Sequence, residues 1–100
     1  MNPYLPDSRP NFWLSCLLID EGCAVTPADI HARLAEANIQ SRYSWKPMHM
    51  QPVFAECDYI TVGGASVGED LFARGLCLPS DIKMTEEEQD YVIETVRSCF

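Results

Sequence analysis

The chain has 100 residues, 47% of them hydrophobic and 22% charged, and carries a net charge of −8, which supports one domain around a single core. The acidic balance argues against a nucleic-acid binder, which needs a broad basic face, and against docking on an anionic membrane surface. No apolar run approaches the roughly 20 residues that span a bilayer, and the first residues lack the basic-then-apolar order of a signal peptide, so the expected compartment is the cytoplasm.

Residues 1–11 read as a polar, proline-bearing lead-in of extended geometry, and residues 12–100 as a single small domain. Residues 12–19 are β-prone and nearly all apolar, which predicts a strand covered on both faces. Asp20, Glu21 and Gly22 then turn the chain. Thr26 suits a helix N-cap, Pro27 the tolerated first position and Asp29 the favourable first turn. Ile30, Leu34 and Ala37 follow at helical spacing, and Asn38 provides a stop. Residues 39–44 form a second extended segment. Residues 45–65 make a loop too long for a mere connector, and loops of that size are often functional. Its Gly63-Gly64 pair reads as a turn, because the lysine and spacing of a phosphate loop are missing.

Ser66 with Glu69 predicts a capping box for a short helix carrying Val67, Leu71 and Phe72, closed by Gly75. Residues 76–78 are a third strand. Thr85 with Glu88 predicts a second box, opening a helix whose apolar stripe is Val92, Val96 and Cys99, widened by Ile93 and Phe100. Glu86, Glu87 and Glu88 complement the amino end of that helix and Arg97 its carboxyl end. The order predicts an α+β fold, a small sheet of about three strands with helices packed on one face.

Five cysteines at positions 16, 23, 57, 77 and 99 are odd in number and irregular in spacing, which argues against a disulfide framework. No C-x-x-C pair exists, and neither histidine stands at zinc-finger spacing from a cysteine pair. Cys16, Cys77 and Cys99 lie in apolar runs and read as small hydrophobes. His31, beside the apolar stripe of its helix, reads as structural.

The stretch SRYSWKPMHMQP, residues 41–52, is the candidate site. It gathers Arg42, Lys46, His49, Trp45 and Gln51 on a segment that two prolines stiffen toward extended geometry. Arg42 and Lys46 suit a diphosphate or carboxylate, Arg42 through a bidentate fork. His49 and Gln51 can donate to a phosphate or hydroxyl, and Trp45 offers a flat face to a sugar or base. Arg9 and Trp13 form a second, weaker group. The plainer readings stand beside these: Arg42 and Lys46 as solvated cations, His49 as a satisfied, partly buried ring, Trp45 as packing.

The string SRYSWKPMHMQPVF resembles the SRPLWKPMHLQPVF pattern of pyridoxal-phosphate-dependent sugar-nucleotide aminotransferases of the DegT/StrS type, in particular those acting on UDP-linked 4-keto sugars in bacillosamine-like synthesis. NPYLPDSRPNFWLSCLLID resembles the entry and first strand of their C-terminal domain, and SVGEDLFARGLCLPS with MTEEEQDYVIETVRSC resembles its closing helix, strand and helix. The resemblance implies the small C-terminal domain of a fold-type-I aminotransferase. The complete enzyme is then a homodimer that holds pyridoxal phosphate and moves an amino group from glutamate to a nucleotide-linked keto sugar. It also implies that the large cofactor domain is missing here. Lys46 matches a loop lysine of the pattern, not the Schiff-base lysine, and Lys83 lies in the turn before the last helix. The chain alone is then expected to bind no cofactor covalently and to be inactive. Tyr43 for proline, Met50 for leucine and Asp81 for a common glycine depart from the pattern, and Tyr43 relaxes the loop beside Arg42. The alternative is a stand-alone, non-enzymatic module that binds a nucleotide sugar or a partner protein. An orphaned domain exposes the apolar surface that once packed on its large domain, whereas an independent module has a polar one.

Overall fold

The computed structural model describes residues 4–100. The first three residues of the expected lead-in lie outside the described residues. Strands β1 (Ser15–Leu18), β2 (Arg42–Tyr43) and β3 (Gly75–Leu78) form one antiparallel sheet in the order β1-β3-β2. Helices α1 (Pro27–Glu36), α2 (Val67–Arg74) and α3 (Glu86–Arg97) complete the expected α+β fold.

The register sorts the side chains. Leu17 opposes Leu76, and that face carries the core: Ile19, Ile30, Leu34 and Leu76 are buried, with Leu78, Val92 and Val96 packed against them. Helices α1 and α3 therefore cover one face of the sheet. Cys16 opposes Cys77, which also opposes Arg42, so these three share the other face.

Helix ends follow local chemistry. Thr26 Oγ1 accepts from Asp29 N–H while the Asp29 carboxylate accepts from Thr26 N–H, a full capping box built with aspartate. The carboxyl end of α1 is a Schellman turn. Asn38 takes φ 57°, its N–H donates to the Ala35 carbonyl, and Ile39 N–H donates to Leu34 at 2.8 Å. Ile39 and Leu34 then meet in the core. Thr85 and Glu88 form the expected box for α3. At α2 only half the expected box exists: Ser66 accepts from Glu69 N–H, but the Glu69 carboxylate turns to His49.

Several extended segments are shorter than their patterns suggest. The first strand spans four residues, not 12–19, because Asn11 Oδ1 accepts from Trp13 N–H and Phe12 takes φ 52°. That local turn outcompetes the strand. Its second face is also open, Leu18 being 43% exposed. The segment 39–44 pairs only at Arg42–Tyr43. The lead-in is not extended throughout, since Ser8 N–H closes a turn on the Leu5 carbonyl. Gly75 ends α2 without a left-handed φ (it has φ −96°) and is itself the first residue of β3. Its need for glycine is steric: an added Cβ would press on the Leu71 carbonyl oxygen and come within 2.8 Å of Ser44 Cβ.

Candidate functional site

A groove of about 970 Å³ opens at the end of the sheet where β3 leaves and the chain enters β2. Trp13, Arg42 and Trp45 line it, together with Tyr43, Lys83 and Tyr91. Trp13 is 70% exposed and Trp45 64% exposed, so both indoles stand at the rim and not in the core. Among the described residues no ion pair or hydrogen bond engages the Arg42 or Lys83 side chain. A groove with two indole faces and two uncommitted cations can take a planar or sugar ring carrying negative charge. Asp81 and Glu88 also border it and temper its potential.

The remaining candidates lie elsewhere. The segment after Trp45 is not the extended rod that its prolines suggest, because turns at Met48–Met50 and Pro52–Phe54 bend it. Extended geometry survives only at Pro47 (φ −54°, ψ 146°) and at Gln51 (φ −75°, ψ 139°), the residue before Pro52. Lys46 is exposed, Gln51 is half-buried, and neither borders the groove. Arg9 is exposed and also outside it.

His49 is engaged within the fold. Its Nε2 lies 2.6 Å from Glu69 Oε1, and its ring stacks on Tyr59 at 3.5 Å with a 9° interplanar angle. Tyr59 Oη is 3.0 Å from Ser66 Oγ, the cap of α2. Pro47 rests on Gly68, where an added Cβ would meet its Cγ at 3.5 Å. The loop is thus latched to the start of α2. Sequence reasoning missed Glu69 and Tyr59 as its partners, since Ser66 with Glu69 reads as a capping box in isolation. His31 is structural as expected: Nδ1 sits 2.7 Å from Ser41 Oγ and the ring lies 5.1 Å from Tyr43.

Arg74 ties the end of α2 to the end of the first strand. Its Nε donates to Asp70 Oδ1 at 2.7 Å and its Nη1 to the Ile19 carbonyl at 2.9 Å. The hydrogen bond from Arg74 holds the Asp70 carboxyl below its ordinary range. Burial and the Cys16 hydrogen bond push the thiol of Cys77, one of the residues lining the groove, up to about 11.

These features define a small α+β domain with a groove at the sheet end. The sequence profile of the DegT/DnrJ/EryC1/StrS aminotransferase family matches residues 2–97, and the chain belongs to that family. It is 50% identical over 91 residues to EpsN of Bacillus subtilis, described as a pyridoxal phosphate-dependent aminotransferase, covering 90% of this chain and 23% of that protein. It is 29% identical over 85 residues to GDP-perosamine synthase of Caulobacter vibrioides, covering 85% of this chain and 22% of that protein. Among solved structures it is similar to a DegT DnrJ EryC1 StrS aminotransferase of Brucella abortus, with TM-score 0.68 and 26% identity over 85% of this chain and 21% of that one. It is likewise similar to a sugar aminotransferase of Streptococcus pneumoniae in its PMP form, with TM-score 0.66 and 25% identity over 86% of this chain and 21% of that one. The chain thus spans less than a quarter of the relatives it matches.

The family is pyridoxal-phosphate-dependent, but the residues described here do not make a site for that cofactor. A Schiff-base lysine works desolvated, beside a carboxylate that partners the pyridinium nitrogen. Lys46 and Lys83 are both exposed, and neither forms an ion pair among the described residues. The described residues hold no cluster of three or more potential metal ligands, and no helix among them is long and apolar enough to cross a membrane.

Proposed function

We propose that residues 12–100 are the small, substrate-side C-terminal domain of a sugar aminotransferase that moves an amino group from glutamate to a nucleotide-linked keto sugar. In this reading Arg42 and Lys46 hold the diphosphate, Trp45 and Trp13 face the sugar or base, and His49 and Gln51 place hydroxyl-bonding groups on the latched loop. Arg9 lies on the approach to the first strand. The cofactor and its lysine belong to a larger domain, the working unit is a homodimer, and this chain alone transfers no amino group. Cytoplasmic residence fits an enzyme of soluble nucleotide sugars.

The observation that carries the reading is the family match along residues 2–97, with a relative whose name specifies a GDP-linked sugar product. The exposed apolar residues favour it over a stand-alone module. Ile60 and Val62 are 91% and 97% exposed, as expected of apolar residues that meet another domain.

A titration of the 15N-labelled chain with UDP-linked and GDP-linked sugars tests the site. Shifts concentrated at Arg42, Trp45 and Lys46, absent with inorganic phosphate alone, are expected. No perturbation at millimolar nucleotide sugar would remove these residues from the isolated domain's binding surface.

A further inference from the structure

The strand register brings together two thiols that stand 61 positions apart in the chain. Cys16 and Cys77 are direct partners in the β1·β3 ladder, with Sγ atoms 3.5 Å apart. The kind of pair matters. Ile19 N–H donates to the Arg74 carbonyl on one side of β3, and Ser44 N–H donates to the Gly75 carbonyl on the other. Hydrogen-bonded and non-hydrogen-bonded pairs alternate along an antiparallel ladder. Counting from Ile19 opposite Arg74, Leu18 with Gly75 is non-hydrogen-bonded, Leu17 with Leu76 is hydrogen-bonded, and Cys16 with Cys77 is non-hydrogen-bonded. In such pairs the Cα atoms approach to about 4.5 Å, inside the range a disulfide spans.

We propose that Cys16 and Cys77 are an oxidation site, a dithiol that a peroxide converts to a cross-strand disulfide joining β1 to β3. Cys16 is half-buried and Cys77 only 7% exposed, so Cys16 meets the oxidant first. Its sulfur takes one oxygen from the peroxide to give a sulfenic acid, and water leaves. The Cys77 sulfur then attacks the Cys16 sulfur; the S–S bond forms, the S–O bond breaks, and the hydroxide takes the Cys77 proton as a second water. Two thiols and one hydrogen peroxide thus become one disulfide and two waters. The Cys77 thiol, pushed up to about 11, keeps its proton at neutral pH, which slows its attack there and makes closure faster as pH rises. Cys77 is among the residues that line the groove and opposes Arg42 in the neighbouring strand, so the bond forms directly beside the proposed anion-binding residue.

The test treats the purified chain with hydrogen peroxide, alkylates it under denaturing conditions and maps the peptides by mass. The expected result is a crosslinked pair containing Cys16 and Cys77, two hydrogens lighter than the thiols. It is reversed by dithiothreitol and accompanied by a rise in Tm on the order of 10 °C, because the bond closes a long loop. Cys16→Ser should abolish both the crosslink and the rise while leaving Cys77 alkylatable. Oxidation of Cys16 to the sulfinic acid with Cys77 still alkylatable would overturn the proposal, as would a disulfide confined to Cys23, Cys57 or Cys99.

Discussion

His49 Nε2 and Glu69 Oε1 lie 2.6 Å apart, joining residues twenty positions distant and fixing the long loop to the first turn of α2. The same carboxylate is the one that sequence spacing assigns to capping Ser66. A tertiary partner therefore replaces a local one, and the loop gains an anchor that secondary structure alone would not provide.

The first prediction concerns that anchor. The Glu69 side chain is 46% exposed and His49 18% exposed, so solvent weakens the pair. Glu69→Ala should cost about 1 kcal/mol, read as a Tm decrease of roughly 4–8 °C for a domain of this size. A double-mutant cycle with His49→Ala should return a coupling energy of at least 0.5 kcal/mol by order of magnitude. Strict additivity would show that the contact contributes nothing.

Core packing gives the second. Leu34 is fully buried, and Leu34→Ala should cost about 2–5 kcal/mol in a urea melt. Val62, at 97% exposure, provides the contrast: Val62→Ala should stay within about 0.5 kcal/mol of the parent.

Gly75→Ala is the third. The new Cβ collides with the Leu71 carbonyl and with Ser44, whose Oγ donates to that same carbonyl at 2.8 Å. Overpacking of this kind costs about 1–3 kcal/mol. Because Ser44 must move, the amide of Arg42 should shift as well, which a 15N spectrum would register. A Gly75→Ala chain of unchanged Tm and spectrum would refute the close approach.

The fourth concerns acid. Asp29 is held below its ordinary range by the hydrogen bonds with Thr26, and Asp70 by the hydrogen bond from Arg74. A carboxyl lowered on folding contributes stability that is present above its unfolded pKa and lost as pH falls through the folded one. Tm should therefore hold down to about pH 5 and decline below about pH 4. Asp70→Asn should lower the plateau and flatten the decline. Both carboxyls face solvent, so the effect is small and is best seen in differential scanning calorimetry at low salt.

What the sequence makes legible is what is decided within one helical turn. Thr26, Ser66 and Thr85 mark all three helix starts, and Asn38 marks a stop because asparagine tolerates the left-handed turn that closes α1. Strand extent is less legible, since apolar runs show propensity but not pairing. Phe12 and Trp13 look like strand yet yield to the Asn11 turn, and the central place of β3 depends on partners that precede it in the chain by many residues. Of the candidate site, Trp13, Arg42 and Trp45 meet in the groove, Lys46 next to Trp45 does not border it, and His49 and Gln51 are carried away by the turns after Pro47. The composition of residues 41–52 points to a site. Its geometry depends on Glu69 and Tyr59, whose relation to His49 exists only after folding.

Arg74 ends α2 and Gly75 begins β3 with no residue between them. A junction of that kind has no slack. Helix α2, which the loop grips at its far end through His49 and Glu69, is one rigid arm, and the central strand, whose Cys77 lines the groove, is the other. A load placed on the loop would be delivered by this lever to the groove, and tightening the strand would be felt at the loop in return.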